Sequence, residues 1–190
     1  TNINDILERT FATGDYETRG VVATSSPSMD IQVSSNFERL LFETCKRDPQ
    51  KVAALMGSLS QSGRFTVPGD ALKEMRALLS ADRADEQESA ATIRAWMREA
   101  SYCADPHTAV ALAVAEKETR DPSVPMVVLS TAHPAKFPDA VQAACGVTPA
   151  LPDWLSDLPK RAERFTVLPA DQGQVEKFVS NASRAAREGV

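Results

Sequence analysis

Met126-Val127-Val128-Leu129-Ser130 is the stretch whose reading decides the fold class. It is a short, unbroken apolar run, preceded by Pro122 and Pro125 and followed by the loop Thr131-Ala132-His133-Pro134. Continuous apolarity over this length predicts a strand covered on both faces, as in the parallel sheets of α/β proteins. Phe165-Thr166-Val167-Leu168-Pro169 predicts a second strand. A helix is expected from about Lys136 to Cys145, ended by Gly146, and another from Gln172 to about Arg187. Upstream, Asp105-Pro106 opens a helix carrying Val110, Leu112 and Val114. The second half therefore reads helix, strand, helix, strand, helix, which favours an α/β fold with a partly parallel sheet.

The first half reads as helix-rich. Asn4-Asp5 predicts a short helix ended by Gly14, then an extended connector to residue 28 with Val21-Val22 as a short strand. Ser35 or Asn36 opens a helix with Phe37, Leu40 and Leu41 on one stripe, stopped at Asp48-Pro49. Pro49 starts the next helix, and Phe65-Thr66-Val67 is extended. Two more helices carry Leu72, Met75 and Leu78, then Ile93, Trp96 and Met97. The carboxylates from Asp85 to Glu88 suit the amino end of the second. The expected division is a connector over 1–28, a helix-rich part over 29–100 and an α/β segment over 101–190.

Bulk properties narrow the function classes. The 190-residue chain is long enough for a real core and carries a net charge of -5. No basic block interleaves with aromatics, so no nucleic-acid partner is expected. The three cysteines, Cys45, Cys103 and Cys145, form no CxxC pair or disulfide framework. Two histidines are too few for a histidine-rich metal site, so no metal is expected. No apolar run approaches a membrane span, and Thr1-Asn2-Ile3-Asn4-Asp5 has no signal-peptide character, so the expected location is cytoplasmic. There is neither a GxGxxG nor a GxxxxGK[ST] phosphate loop.

Three segments carry candidate chemistry. The loop Ser130-Thr131-Ala132-His133-Pro134 follows the apolar strand, where open α/β proteins place their ligands. It offers two hydroxyls, an imidazole and the nearby Lys136; alternatively, the hydroxyls only satisfy backbone groups of a turn. Asp105-Pro106-His107-Thr108 is a helix start that either holds an anion or is a plain cap. The segment from Met29 to Asn36 places Asp30 among apolar neighbours before a serine-rich helix entry.

Two long motifs go further. Ser28-Met29-Asp30-Ile31-Gln32-Val33-Ser34-Ser35-Asn36-Phe37-Glu38-Arg39 and Ser130-Thr131-Ala132-His133-Pro134-Ala135-Lys136-Phe137 resemble the C-terminal portion of threonine synthase. Asp105 to Val110 and Thr1 to Ile6 resemble two further parts of that family. The resemblance implies the tryptophan-synthase-beta-like fold and pyridoxal 5'-phosphate as cofactor. It implies a lyase that converts O-phosphohomoserine and water into threonine and phosphate. Carried over by position, Thr131 is the hydroxyl facing the pyridine nitrogen, with Ser130 as the alternative. His133 and Lys136 shape the same rim; Asp30, Ser34, Ser35 and Asn36 line the substrate side; His107 supports the site. No lysine here matches the family's aldimine lysine, and its phosphate loop is absent. Both are expected upstream, in a missing N-terminal portion that acts as partner, and the chain alone is expected to be inactive. The alternative is a noncatalytic interaction or regulatory domain of the same fold.

Overall fold

The computed structural model describes residues 1–119 and 121–187. Two helix–glycine–strand units open it. Helix α1 (Ile6–Thr13) ends at Gly14 and leads into strand β1 (Asp15–Glu17). After α2 (Phe37–Thr44), helix α3 (Pro49–Ser62) ends at Gly63 and leads into β2 (Arg64–Thr66). Both glycines take positive φ, +87° and +73°, and their amides close the preceding helices on Thr10 O and Leu59 O. The strands pair antiparallel with Tyr16 opposite Phe65. This places Tyr16 between the rings of Phe37 and Phe65, at centroid distances of 5.3 and 4.8 Å. Ile6, Leu41, Val52, Val67 and Met75 complete the core around them.

Helix α4 (Gly69–Leu78) contributes Leu72 and Met75 to that core. Then α5 (Glu86–Ala100) packs on α6 (Pro106–Lys117) and α7 (Pro138–Cys145). Asp85 begins α5 with a reciprocal cap: it accepts from Glu88 N, while the Glu88 carboxylate accepts from Asp85 N. Helix α6 is the most buried, with every residue from Pro106 to Val110 inside. Ile93, Ala104, Ala109, Leu112 and Ala144 form a second core at this junction. The first compact unit ends at Ala150 and the second begins at Leu151. The second holds two short 3-10 turns, α8 (Gln172–Ala182) and α9 (Arg184–Arg187).

The α/β character holds, but its sheet lies elsewhere than expected. The described residues contain one two-stranded sheet, in the first half. Met126–Ser130 has no ladder partner and no regular secondary structure. Val128 is half-buried against the α5–α6 core, whereas Val127 and Leu129 are 78% and 73% exposed. Phe165-Thr166-Val167-Leu168 is likewise unpaired, with Phe165 and Val167 exposed. A strand covered on both faces needs neighbours on both edges, and these residues have none here. Val21-Val22 forms no strand either: the side-chain amide of Asn4 takes the place of a strand partner, donating to Val22 O and accepting from Val22 N. The terminal helix is broken at Ser183, whose ψ of 152° is extended.

Candidate functional site

The site grows from the amino end of α6. Asp105 is the N-cap, and its carboxylate is fully buried. Taking such a group out of water is costly unless its lone pairs are filled. They are filled: Oδ1 accepts from His107 N and His107 Nδ1, both at 2.9 Å. Oδ2 accepts from Thr108 N at 3.3 Å and from the Thr108 hydroxyl in a short hydrogen bond.

These contacts assign the His107 tautomer. The Ser28 amide donates to His107 Nε2 at 3.2 Å, so Nε2 is the acceptor. The carboxylate of Asp105 can only accept, so Nδ1 carries the proton. His107 is 5% exposed and packs on the Phe137 ring at 4.7 Å. Lys136 Nζ stands 5.7 Å from the centre of that same ring.

The Thr108 hydroxyl is shared with the loop after the extended segment. Having donated to Asp105, it accepts from the Thr131 amide at 3.2 Å. Thr131 itself is exposed. The adjacent Ser130 hydroxyl accepts from Tyr102 Oη at 3.1 Å. His133 caps the 3-10 turn Pro134–Lys136, with Nδ1 accepting from Ala135 N. The loop is therefore anchored by the Thr131 amide, the Ser130 hydroxyl and the His133 ring, with Thr131, His133 and Lys136 at the surface.

Asp30 follows Ser28 by two residues. Its Oδ1 accepts from Asn2 Nδ2, Asn4 Nδ2 and the Thr24 hydroxyl, at 2.9, 2.9 and 2.7 Å. Its Oδ2 accepts from Thr24 N at 2.8 Å. Burial pushes its pKa up, but the hydrogen bonds from Thr24 and Asn2 outweigh this and hold the carboxyl below its ordinary range. Asn2 also donates to the Ser26 hydroxyl, at 2.9 Å, so the cluster grips the 3-10 turn Pro27–Met29.

Of the sequence-predicted residues, His107 and Thr131 thus belong to one hydrogen-bonded cluster around Asp105, and Asp30 to a second around Asn2, the two joined by the turn Pro27–Met29. Ser34 joins its margin: its amide donates to Tyr16 Oη, and it lines a cavity of about 250 Å³ with Ser28 and Met29. Ser35 lines a different groove, with Arg39, Phe42, Val52 and Met56. Asn36 is exposed and makes no cap hydrogen bond. The sequence offers Asp105 and Thr108 as parts of a helix start that either holds an anion or is a plain cap, and gives Asn2 and Asn4 no role in the site. Asp105-Pro106 signals a helix start, and nothing local signals that the cap is buried.

A family profile described as threonine synthase, C-terminal, matches residues 108–179. Threonine synthase of Pseudomonas aeruginosa is 44% identical over 181 residues, covering 95% of this chain. The crystal structure of PLP-bound threonine synthase from Brucella melitensis superposes with a TM-score of 0.86 at 54% identity over 97% of this chain. Over nearly its whole length the chain matches the C-terminal portion of threonine synthase. Yeast threonine synthase shares the fold as well, with a TM-score of 0.80 at 32% identity over 95% of this chain. The chain spans 39% of the Pseudomonas protein and 40% of each of the two structures, so it corresponds to part of a threonine synthase. The profile begins at Thr108 and includes the Thr131 loop, whereas Asp30 and His107 lie in the wider span aligned to the Pseudomonas enzyme.

The threonine synthase relative from Brucella is a pyridoxal-phosphate protein, and the residues present fit that group in part. Thr131 offers an exposed hydroxyl on a loop whose amide is anchored. All seven lysines are exposed, and Lys46, Lys51 and Lys117 are engaged by Glu74, Asp48 and Glu88. No glycine-rich phosphate cradle is found in the sequence. Among the described residues there is no cluster of metal-ligating side chains and no helix long and apolar enough to cross a membrane.

Proposed function

We propose that this chain supplies the C-terminal part of a pyridoxal-phosphate-dependent threonine synthase, which converts O-phosphohomoserine and water into threonine and phosphate. The observation that carries the reading is the anchored loop: Thr131 N is tied to the buried Thr108 hydroxyl, leaving the Thr131 side chain at the surface. When bound, pyridoxal phosphate supplies the electron sink for the elimination and replacement. Thr131 would hold the cofactor's ring nitrogen through a neutral hydroxyl. His133 and Lys136 form the rim beside it, and the segment from Asp30 to Asn36 borders the substrate. Asp30 spends four hydrogen bonds on Asn2, Asn4 and Thr24, so it holds the substrate-side turn in shape rather than moving protons.

In this reading the lysine that bonds the cofactor and the cradle for its phosphate come from a preceding segment. Residues 101–190 complete the cofactor-binding domain, residues 29–100 belong to the large domain, and the enzyme works in the cytoplasm. The unpaired, exposed apolar run at Val127 and Leu129 supports a partner that adds strands to it.

The test is the visible absorbance of the purified longer protein after pyridoxal phosphate is added and the excess removed. A persistent band that shifts with O-phosphohomoserine is expected, and the 190-residue chain alone should retain none. Turnover by the isolated chain, or a cofactor adduct on Lys136, would overturn the division of labour. No retained band in the longer protein would leave a noncatalytic relative.

A further inference from the structure

Two loops of the candidate site come from distant parts of the sequence, yet both are tied to one carboxylate. The cofactor-side loop is tied through Thr108: its hydroxyl gives its proton to Asp105 Oδ2 and offers a lone pair to Thr131 N. The substrate-side turn is tied through His107: its Nδ1–H points at Asp105 Oδ1, which leaves Nε2 unprotonated to accept the Ser28 amide. That turn is continuous with the grip of Asn2 and Thr24 on Ser26 and Asp30. We propose that Asp105 is the positioning residue of this site, setting Thr131 through Thr108 and the Ser28–Asp30 turn through the tautomer of His107. The inference rests on the cofactor role given to Thr131 above.

The physical argument is one of polarity. A carboxylate presents only acceptors, so every group that meets it must turn a donor inward. The Thr108 hydroxyl then turns its lone pair outward to Thr131 N, and the imidazole turns its unprotonated nitrogen outward to Ser28 N. An amide in place of Asp105 presents an N–H on one side. It either opposes the Nδ1–H of His107, forcing the other tautomer against the Ser28 donor, or opposes the Thr108 hydroxyl. Each mismatch leaves a buried donor unpaired. No reaction step passes through Asp105; its effect is geometric.

The tests use the full-length holoenzyme that contains this chain. Nitrogen-15 spectra of the imidazoles, with His107 assigned by its loss in His107→Gln, should show protonated Nδ1 and free Nε2 in the unsubstituted protein. Asp105→Asn should shift that balance toward Nε2–H. Where Asp105→Asn does not fold, Thr108 decides. Thr108→Val keeps the shape but removes the hydroxyl that donates to Asp105 and accepts from Thr131 N; it should weaken pyridoxal-phosphate retention by about tenfold, an effect on the scale of one lost hydrogen bond. Thr108→Ser should restore it. An Nε2–H tautomer in the unsubstituted protein, or equal retention in Thr108→Val and Thr108→Ser, overturns the inference. A missing cofactor band in the unsubstituted protein overturns the functional reading first and this inference with it.

Discussion

At the scale of single residues, the site is built from buried polar groups whose hydrogen bonds are matched. Asp30 shows what such matching does to acid stability. Its folded pKa is depressed, because the bonds from Thr24 and Asn2 outweigh the burial that raises it. A depressed carboxyl contributes stability that is present above the unfolded value, near 4, and lost as pH falls through the lower folded value. Asp30→Asn turns an amide toward the donors of Asn2, Asn4 and Thr24. It should cost about 1–3 kcal/mol at neutral pH. The difference from the unsubstituted protein should shrink below about pH 4, because protonated Asp30 suffers the same loss. Urea unfolding at pH 7 and pH 3 measures both. Asp30, His107 and Thr131 were legible in the sequence as polar residues in unusual settings. Asp105 and Asn2 were not, because Asp at a helix start and Asn near a chain end are common at surfaces. Only burial, at 1% exposure for each, sets them apart.

At the scale of elements, local chemistry did most of the work. Asp48-Pro49 and Asp105-Pro106 both became capped helix starts, since the aspartate accepts the free amides and proline needs no partner. Gly14 and Gly57 separate two roles of glycine. Gly14 sits at φ +87°, and a Cβ there would lie 3.0 Å from Leu72 Cδ2. Gly57 lies inside α3 with nothing within 4 Å of such a Cβ. Gly14→Ala should therefore lower the melting temperature, at a cost of about 1–2 kcal/mol. Gly57→Ala should raise it, by about 0.5–1 kcal/mol of stability. Opposite signs in thermal unfolding are the check; equal signs contradict the assignment. Strands were less legible than helices. A helix satisfies its own backbone, whereas Met126–Ser130 reads as a strand but needs another strand to become one.

At the scale of the whole molecule, the unpaired apolar segments are the notable feature. Val127, Leu129, Phe165 and Val167 are each more than 70% exposed. Hydrogen exchange should find their amides unprotected in the 190-residue chain. In the longer protein proposed above, those of the first segment should be slowed by at least about a hundredfold, as expected for amides held in a sheet. Unchanged exchange there would show that the preceding segment proposed above does not pair with it. By itself the sequence determined the helix boundaries set by proline, glycine and aspartate, because those depend on neighbours along the chain. Its long motifs also carried the family resemblance. Only the tertiary structure decided that one buried carboxylate joins the Ser28 turn to the Thr131 loop, and which nitrogen of His107 holds the proton. Those outcomes depend on which groups lose water together, and residues 28, 105 and 131 lose it together only when the chain has folded.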